Sequence, residues 1–278
     1  MDLSQKRLFL LDLDGTIYLE ESLLPGAAEF LEYVRQRGWA YRFLTNNSSR
    51  GVDAGLEKMH RLGIPARREE FLTAVEATIH YLRVNRRPED VYYAVGTESF
   101  RRQIAQAGFT LREEPAEDVT AVLVSFDTTL TYEKVENACR LLARGADFLA
   151  TNPDLACPTL FGFVPDCGSI CQMIENASGH HPVFIGKPDP TMIRLAWAQT
   201  GYGPAETLMV GDRLYTDIAC GVNAGADTAL VLTGEATAAD AAVSPTPPTA
   251  VYQDMAALLD ALRRAEKQEG VSCEANEK

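Results

Sequence analysis

The chain has 278 residues, a formal net charge of -13, and 46% apolar and 23% charged residues. That length can bury a sizeable core as one large domain or two modest ones, and the composition is that of a globular protein. The acidic balance excludes nucleic acid as a general partner, because phosphate backbones attract basic faces. No stretch reaches the roughly 18 apolar residues that a membrane crossing needs.

Residues 1–7 are polar and run into the mostly apolar Leu8–Leu13. That run is too short for a signal-peptide core and contains Asp12, so a cytoplasmic protein is expected. Leu8–Leu13 reads as a buried strand. Pro25-Gly26 opens a helix with Phe30, Leu31 and Val34 on one face, closed by Gly38. A strand over 41–45 and a helix over 52–62 follow, with Gly63 as the stop. The middle of the chain predicts strands over 91–95, 121–126 and 147–150, and helices over 100–107, 132–144 and 168–177. Strands over 183–185, 207–210 and 228–232 then alternate with helices over 190–200 and 216–224. Such alternation implies a mostly parallel sheet covered on both faces.

The turn-rich segments 85–88 and 179–182 suit hinges. The expected organisation is a core made of residues 1–80 and 183–265, with an inserted α/β domain over 81–182. Residues 236–250 read as an irregular connection, and 266–278 as a flexible polar tail. The six cysteines show no C-x-x-C pair, so reduced thiols are expected rather than a zinc site. Cys167 and Cys171 are spaced to share one helical face. His60 and the pair His180-His181 read as surface residues, and Trp39 and Trp197 as core.

Four strand ends carry the chemistry. Asp12-Leu13-Asp14-Gly15-Thr16 closes the first strand. Parallel doubly wound sheets bind ligands beyond the carboxyl ends of their strands, so both carboxylates can reach one crevice. Two acids at the end of an apolar strand are costly unless they bind a cation or do chemistry. Gly211-Asp212-Arg213-Leu214-Tyr215-Thr216-Asp217 repeats the pattern after the strand over 207–210. An oxygen-rich set of this kind suits Mg²⁺. Asp217 alone also fits a helix-start residue favoured by the dipole. Thr45-Asn46-Asn47-Ser48-Ser49 offers hydroxyls and amides to phosphate oxygens, or forms an ordinary turn and cap. Lys187 in Gly186-Lys187-Pro188 can neutralise a phosphate.

In this order the motifs resemble those of the haloacid dehalogenase (HAD) superfamily phosphatases. The similarity is to the capped subfamily IIA, which includes the NagD-like and p-nitrophenyl phosphatase-like enzymes and the eukaryotic pyridoxal phosphate and phosphoglycolate phosphatases. Ala150-Thr151-Asn152-Pro153-Asp154 and Asn223-Ala224-Gly225 match further signatures of that branch. The resemblance covers about residues 8–234. It implies a doubly wound parallel-sheet core, Rossmann-like, with an inserted α/β cap of the C2 type. It also implies Asp12 as nucleophile, Asp14 as general acid and base, and Thr45 and Lys187 stabilising the transferring phosphoryl group. Asn46, through its backbone, and Asn47 would help to bind substrate. Mg²⁺ would be held by Asp12, the Asp14 carbonyl and Asp212, with Asp217 as a further or water-mediated ligand.

The expected substrate is a small phosphorylated metabolite: a sugar phosphate, a nucleoside monophosphate or an aryl phosphate. A homodimer through the cap is compatible with this family. The segment Asn152–Pro158 is the expected specificity loop. The pyridoxal phosphate phosphatases carry a His where this chain has Cys157, which argues against that substrate unless Cys157 only packs. A non-catalytic metabolite-binding protein is a rival against which intact Asp12, Asp14 and Lys187 argue, and two further rivals keep part of the logic. A mutase or other phosphotransferase would need a cap between the first two motifs, and about thirty residues separate Asp14 from Thr45. A phospho-accepting receiver would lack Asp14 and the long insert.

Overall fold

The structure is a computed structural model. It describes residues 1–159 and 161–276, and the side chains of these except at 158 and 269–276. In chain order the strands are β1 (Leu8–Leu11), β2 (Tyr18–Leu19), β3 (Ser22–Leu23), β4 (Ala40–Thr45), β5 (Phe71–Thr73), β6 (Val91–Val95), β7 (Thr110–Arg112) and β8 (Ala121–Val124). They continue with β9 (Asp147–Ala150), β10 (Ala156–Thr159), β11 (Gly162–Pro165), β12 (Val183–Phe184), β13 (Thr207–Gly211), β14 (Asp227–Val231) and β15 (Ala250–Tyr252).

A six-stranded sheet runs β15-β14-β13-β1-β4-β5. β1 pairs in parallel with both β13 and β4, with Leu11 opposite Val210 on one side and Phe43 on the other. Numbered by first appearance, this is the Rossmann strand order 3-2-1-4-5-6, whose topological switch point lies between the first and fourth strands. Here those are β1 and β13. Both are buried along their whole length, which is why they read as continuous apolar runs rather than alternating ones.

A second, five-stranded sheet runs β12-β9-β8-β6-β7, and every pairing is parallel. This is the 2-1-3-4-5 order of flavodoxin-type sheets, with its switch point between β6 and β8. One of its faces buries Val122, Val124, Leu141, Phe148 and Ile170, and the other buries Leu82, Tyr92, Phe100 and Leu123. The fold is therefore a doubly wound α/β core with an inserted α/β cap. The chain divides into two compact units. One comprises Met1–Leu44, Lys58–Phe71 and the chain from Ile193. The other comprises Thr45–Glu57 and Leu72–Met192.

Several expectations need correction. β12 pairs with β9, so the strand expected to open the second part of the core belongs to the five-stranded sheet. Apolar character marks a buried strand but not which sheet receives it. The boundary expected at 80/81 falls inside a helix, Ala74–Asn85, which starts at a capping box formed by Thr73 and Glu76. Residues 236–250 are not wholly irregular, because Thr237 and Asp240 cap a short helix over Ala238–Val243. The tail expected from Glu266 is helical as far as Asn276. Glu266 pairs with Arg37 at 3.0 Å and accepts a hydrogen bond from Tyr33. Residues 277 and 278 lie outside the described residues.

Trp39 and Trp197 are half-buried rather than core. Trp39 stacks on Phe9 and beneath Arg7, and Trp197 donates to the Thr207 hydroxyl at 2.7 Å. Cys167 and Cys171 do share a helical face, buried, with sulfurs 4.0 Å apart. The hydrogen bond it shares with Cys167, with burial, pushes the Cys171 thiol up, so it is an inert core thiol. Among the described residues, no helix is long and apolar enough to cross a membrane.

Candidate active site

The six-stranded sheet brings its acids together at the switch point. Asp12 follows β1 and donates its N–H to Val210 of β13 at 2.9 Å. Asp212 follows β13, and Asp217 lies in the single π-helical turn Leu214–Ile218 that leads into the helix Ala219–Ala224. Such turns recur at functional sites because the wider backbone redirects side chains. Carboxylate oxygens of Asp12, Asp212 and Asp217 all lie within 4.8 Å of one another. Asp212 and Asp217 are almost wholly buried.

Main-chain donors fix the orientation of two of these acids. Glu235 N–H donates to Asp212 Oδ2 at 2.7 Å, and Arg213 N–H donates to Asp217 Oδ2 at 3.1 Å. Three glycines leave room for the carboxylates. A Cβ at Gly15 or Gly234 would lie 2.5 or 2.0 Å from Asp212 Oδ2, and one at Gly211 would lie 2.2 Å from Asp217 Cβ. Gly15 also has φ +90°, which disfavours any side chain. Its carbonyl accepts from the Thr233 hydroxyl at 2.6 Å. Gly234 and Thr233 escape sequence reading because their role exists only through a contact with distant chain.

Asp14 is part of the tight turn after β1, in which Gly15 N–H donates to the Tyr18 carbonyl at 2.8 Å. Lys58 Nζ lies 3.8 Å from Asp14 Oδ1 and 3.7 Å from the centroid of the Tyr18 ring. Lys58 is a neighbour of the acid that no sequence motif announces.

The donor set of the cluster is all oxygen. That suits a hard divalent cation, and three carboxylates this close repel one another without one. Asp12, Asp212 and Asp217 together therefore fit a hard divalent cation such as Mg²⁺.

Thr45, Asn46, Asn47 and Lys187 belong to the second unit. Thr45 is the last residue of β4, and its hydroxyl accepts from Asn47 N–H at 3.2 Å. Asn47 Oδ1 accepts from the N–H and hydroxyl of Ser49 at 3.0 and 2.8 Å, which makes its side chain a turn former. The Asn46 side chain is spent on Lys187. Its Oδ1 accepts from Lys187 N–H and its Nδ2 donates to the Lys187 carbonyl, both at 2.9 Å. The side chains of both asparagines thus shape the loop.

The expected specificity loop also divides. Asn152 and Asp154 are buried. Leu155 is exposed, and the segment then enters the antiparallel hairpin β10–β11, in which Phe161 and Phe163, beyond the expected loop, are exposed. Cys157 is half-buried and packs against the core of the five-stranded sheet, which supports a packing role.

Comparison with known proteins defines the class. Residues 9–110 match the haloacid dehalogenase-like hydrolase model, and residues 184–258 match a second HAD-hydrolase-like model. The 5'-nucleotidase YutF of Bacillus subtilis is 39% identical over 226 residues, 81% of this chain and 87% of that protein. The chain belongs to the haloacid dehalogenase-like hydrolases and is an enzyme of the phosphatase class.

Among solved structures, a 4-nitrophenylphosphatase from Thermotoga maritima is 38% identical with a TM-score of 0.88, covering 94% of this chain and 99% of that one. A glycerol phosphate phosphatase from Mycobacterium tuberculosis in complex with magnesium is 31% identical with a TM-score of 0.86, covering 92% of this chain and 78% of its own.

Proposed function

We propose that the chain hydrolyses small phosphomonoesters in a Mg²⁺-dependent reaction that passes through an aspartyl phosphate on Asp12. The observation that carries this reading is the cluster of Asp12, Asp212 and Asp217 at the β1/β13 switch point. Bound Mg²⁺ would neutralise charge on the carboxylates and on the phosphoryl oxygens. Asp12 attacks phosphorus, forming a carboxylate–phosphorus bond as the ester P–O bond breaks. Asp14 gives its proton to the departing oxygen. It then takes a proton from the water that cleaves the acyl phosphate, which restores Asp12 and releases phosphate. The Thr45 hydroxyl and the Lys187 ammonium stabilise the equatorial oxygens during both transfers.

Substrate choice is assigned to the inserted cap, the part of the chain that carries the five-stranded sheet. The relatives are named for nucleotide, aryl phosphate and glycerol phosphate hydrolysis. This supports a small phosphorylated metabolite, with sugar phosphates in the same class. A homodimer through the cap is part of the same reading, since Leu155, Phe161 and Phe163 are exposed there. Sedimentation equilibrium reads this directly, and a strictly monomeric protein would remove that part.

Rapid acid quench during turnover, followed by peptide mass analysis, tests the intermediate. One phosphoryl group on the peptide bearing Asp12, lost within the turnover time, is expected. A long-lived phosphoprotein would favour a receiver, and labelling elsewhere would contradict the mechanism.

A further inference from the structure

The loop after β4 is bound to the five-stranded sheet at every strand end near that sheet's switch point. Thr97, just beyond β6, donates its hydroxyl to the Ser49 carbonyl at 2.8 Å. Ser48 Oγ accepts from Phe126 N–H, beyond β8, at 3.0 Å and shares a hydrogen bond with Thr151 Oγ1, beyond β9, at 2.8 Å. The loop's hydrogen bonds thus occupy the strand ends at β6, β8 and β9.

One buried acid completes the arrangement. Asp154 Oδ2 accepts from Asn46 Nδ2 at 2.7 Å and from Asn152 Nδ2 at 2.8 Å. Asn152 is held in turn by Thr151 and Asp166, at 2.8 and 3.1 Å. Asn46, Asn152, Asp154, Asp166 and Lys187 are all at least nine-tenths buried. A carboxamide can face either way, and the acceptor beside it decides which. The Asp154 carboxylate accepts only from the Nδ2 side, so it places Asn46 Oδ1 opposite Lys187 N–H.

We propose that Asp154 is a positioning residue for Lys187 and acts through Asn46. The carboxylate fixes the rotamer and amide orientation of Asn46. Asn46 then holds the main chain of Lys187 at both its N–H and its C=O, and so sets where the ammonium is delivered. This rests on the role given to Lys187 above.

The test is a double-mutant cycle on 4-nitrophenyl phosphate hydrolysis with saturating Mg²⁺, with thermal melting of each variant alongside. Asp154→Ala is expected to lower kcat by about ten- to a hundredfold with KM nearly unchanged, because misplacing a group that acts in the transition state lowers kcat rather than ground-state binding. Asp154→Asn, which can still present one oxygen to both amides, is expected to retain most of the rate. Asn46→Ala should match Asp154→Ala. In a Lys187→Ala background, Asp154→Ala should change kcat by less than about twofold, because residues acting through one another are not additive.

If Asp154→Ala does not fold, the cycle runs on Asp154→Asn, whose smaller loss must likewise vanish without Lys187. The same factor lost with and without Lys187, or an unchanged kcat in Asp154→Ala, overturns the inference while leaving Lys187 in place. An unchanged kcat in Lys187→Ala overturns the role of Lys187 and this inference with it.

Discussion

The molecule contains two parallel sheets with two switch points, and they are finished in opposite ways. At β1/β13, three carboxylates converge and glycines at 15, 211 and 234 are needed to make room for them. At β6/β8, serine and threonine hydroxyls tie down the protein's own loop, and acids such as Asp154 and Asp166 accept from amides. Acids crowded against acids suit a cation from outside. Acids surrounded by donors are already satisfied and serve as a frame. The same topology therefore yields a site in one unit and a scaffold in the other, and the side chains at the strand ends decide which.

That contrast can be broken at either end. Asp212→Asn removes an anionic ligand while keeping shape, and should lower kcat/KM by about a hundredfold or more and weaken Mg²⁺ binding by about tenfold or more. Kinetics over a Mg²⁺ titration check this, and an unchanged Mg²⁺ requirement would contradict the site. Gly234→Ala puts a methyl 2.0 Å from Asp212 Oδ2. It should cost about 1–3 kcal/mol of stability and raise the Mg²⁺ concentration needed for half-maximal rate. A variant with wild-type melting and metal dependence would show that the crowding is relieved elsewhere.

On the scaffold side, Ser48→Ala leaves the buried Phe126 N–H without its acceptor and should destabilise the protein by about 1–2 kcal/mol in urea unfolding. No Mg²⁺ dependence of that loss is expected. The smallest effect concerns acid stability. Burial would raise the Asp90 carboxyl, but the Arg87 N–H and the Arg86 and Arg87 guanidiniums outweigh it and hold the carboxyl below its usual value. The stabilisation is present above the unfolded value of about 3.9 and is lost as pH falls through the lower folded value. Asp90→Asn should therefore destabilise by about 1 kcal/mol at neutral pH, with the difference from wild type shrinking below about pH 4. A constant difference across that range would contradict the assignment.

The comparison also shows what a sequence can carry. β1 and β13 were legible because strands buried on both faces are apolar throughout, and their acids stood out against that background. The helix Ala27–Gln36 was legible from Pro25-Gly26 before it and Gly38 after it. The assignment of β12 was not, because sheet membership depends on partners far along the chain. The work of Asn46 was hidden for the same reason: a motif identifies a residue type, whereas its contact with Lys187 spans 141 positions. Lys58 beside Asp14 and Gly234 beside Asp212 carry no local signal at all.

The most direct measurement is phosphate release from 4-nitrophenyl phosphate by the wild type and by Asp12→Asn, each with Mg²⁺ and with excess chelator. The account predicts turnover only for the wild type with Mg²⁺, and a loss of at least about a thousandfold in the variant. Turnover by Asp12→Asn at a comparable rate, or hydrolysis that survives the chelator, would contradict it.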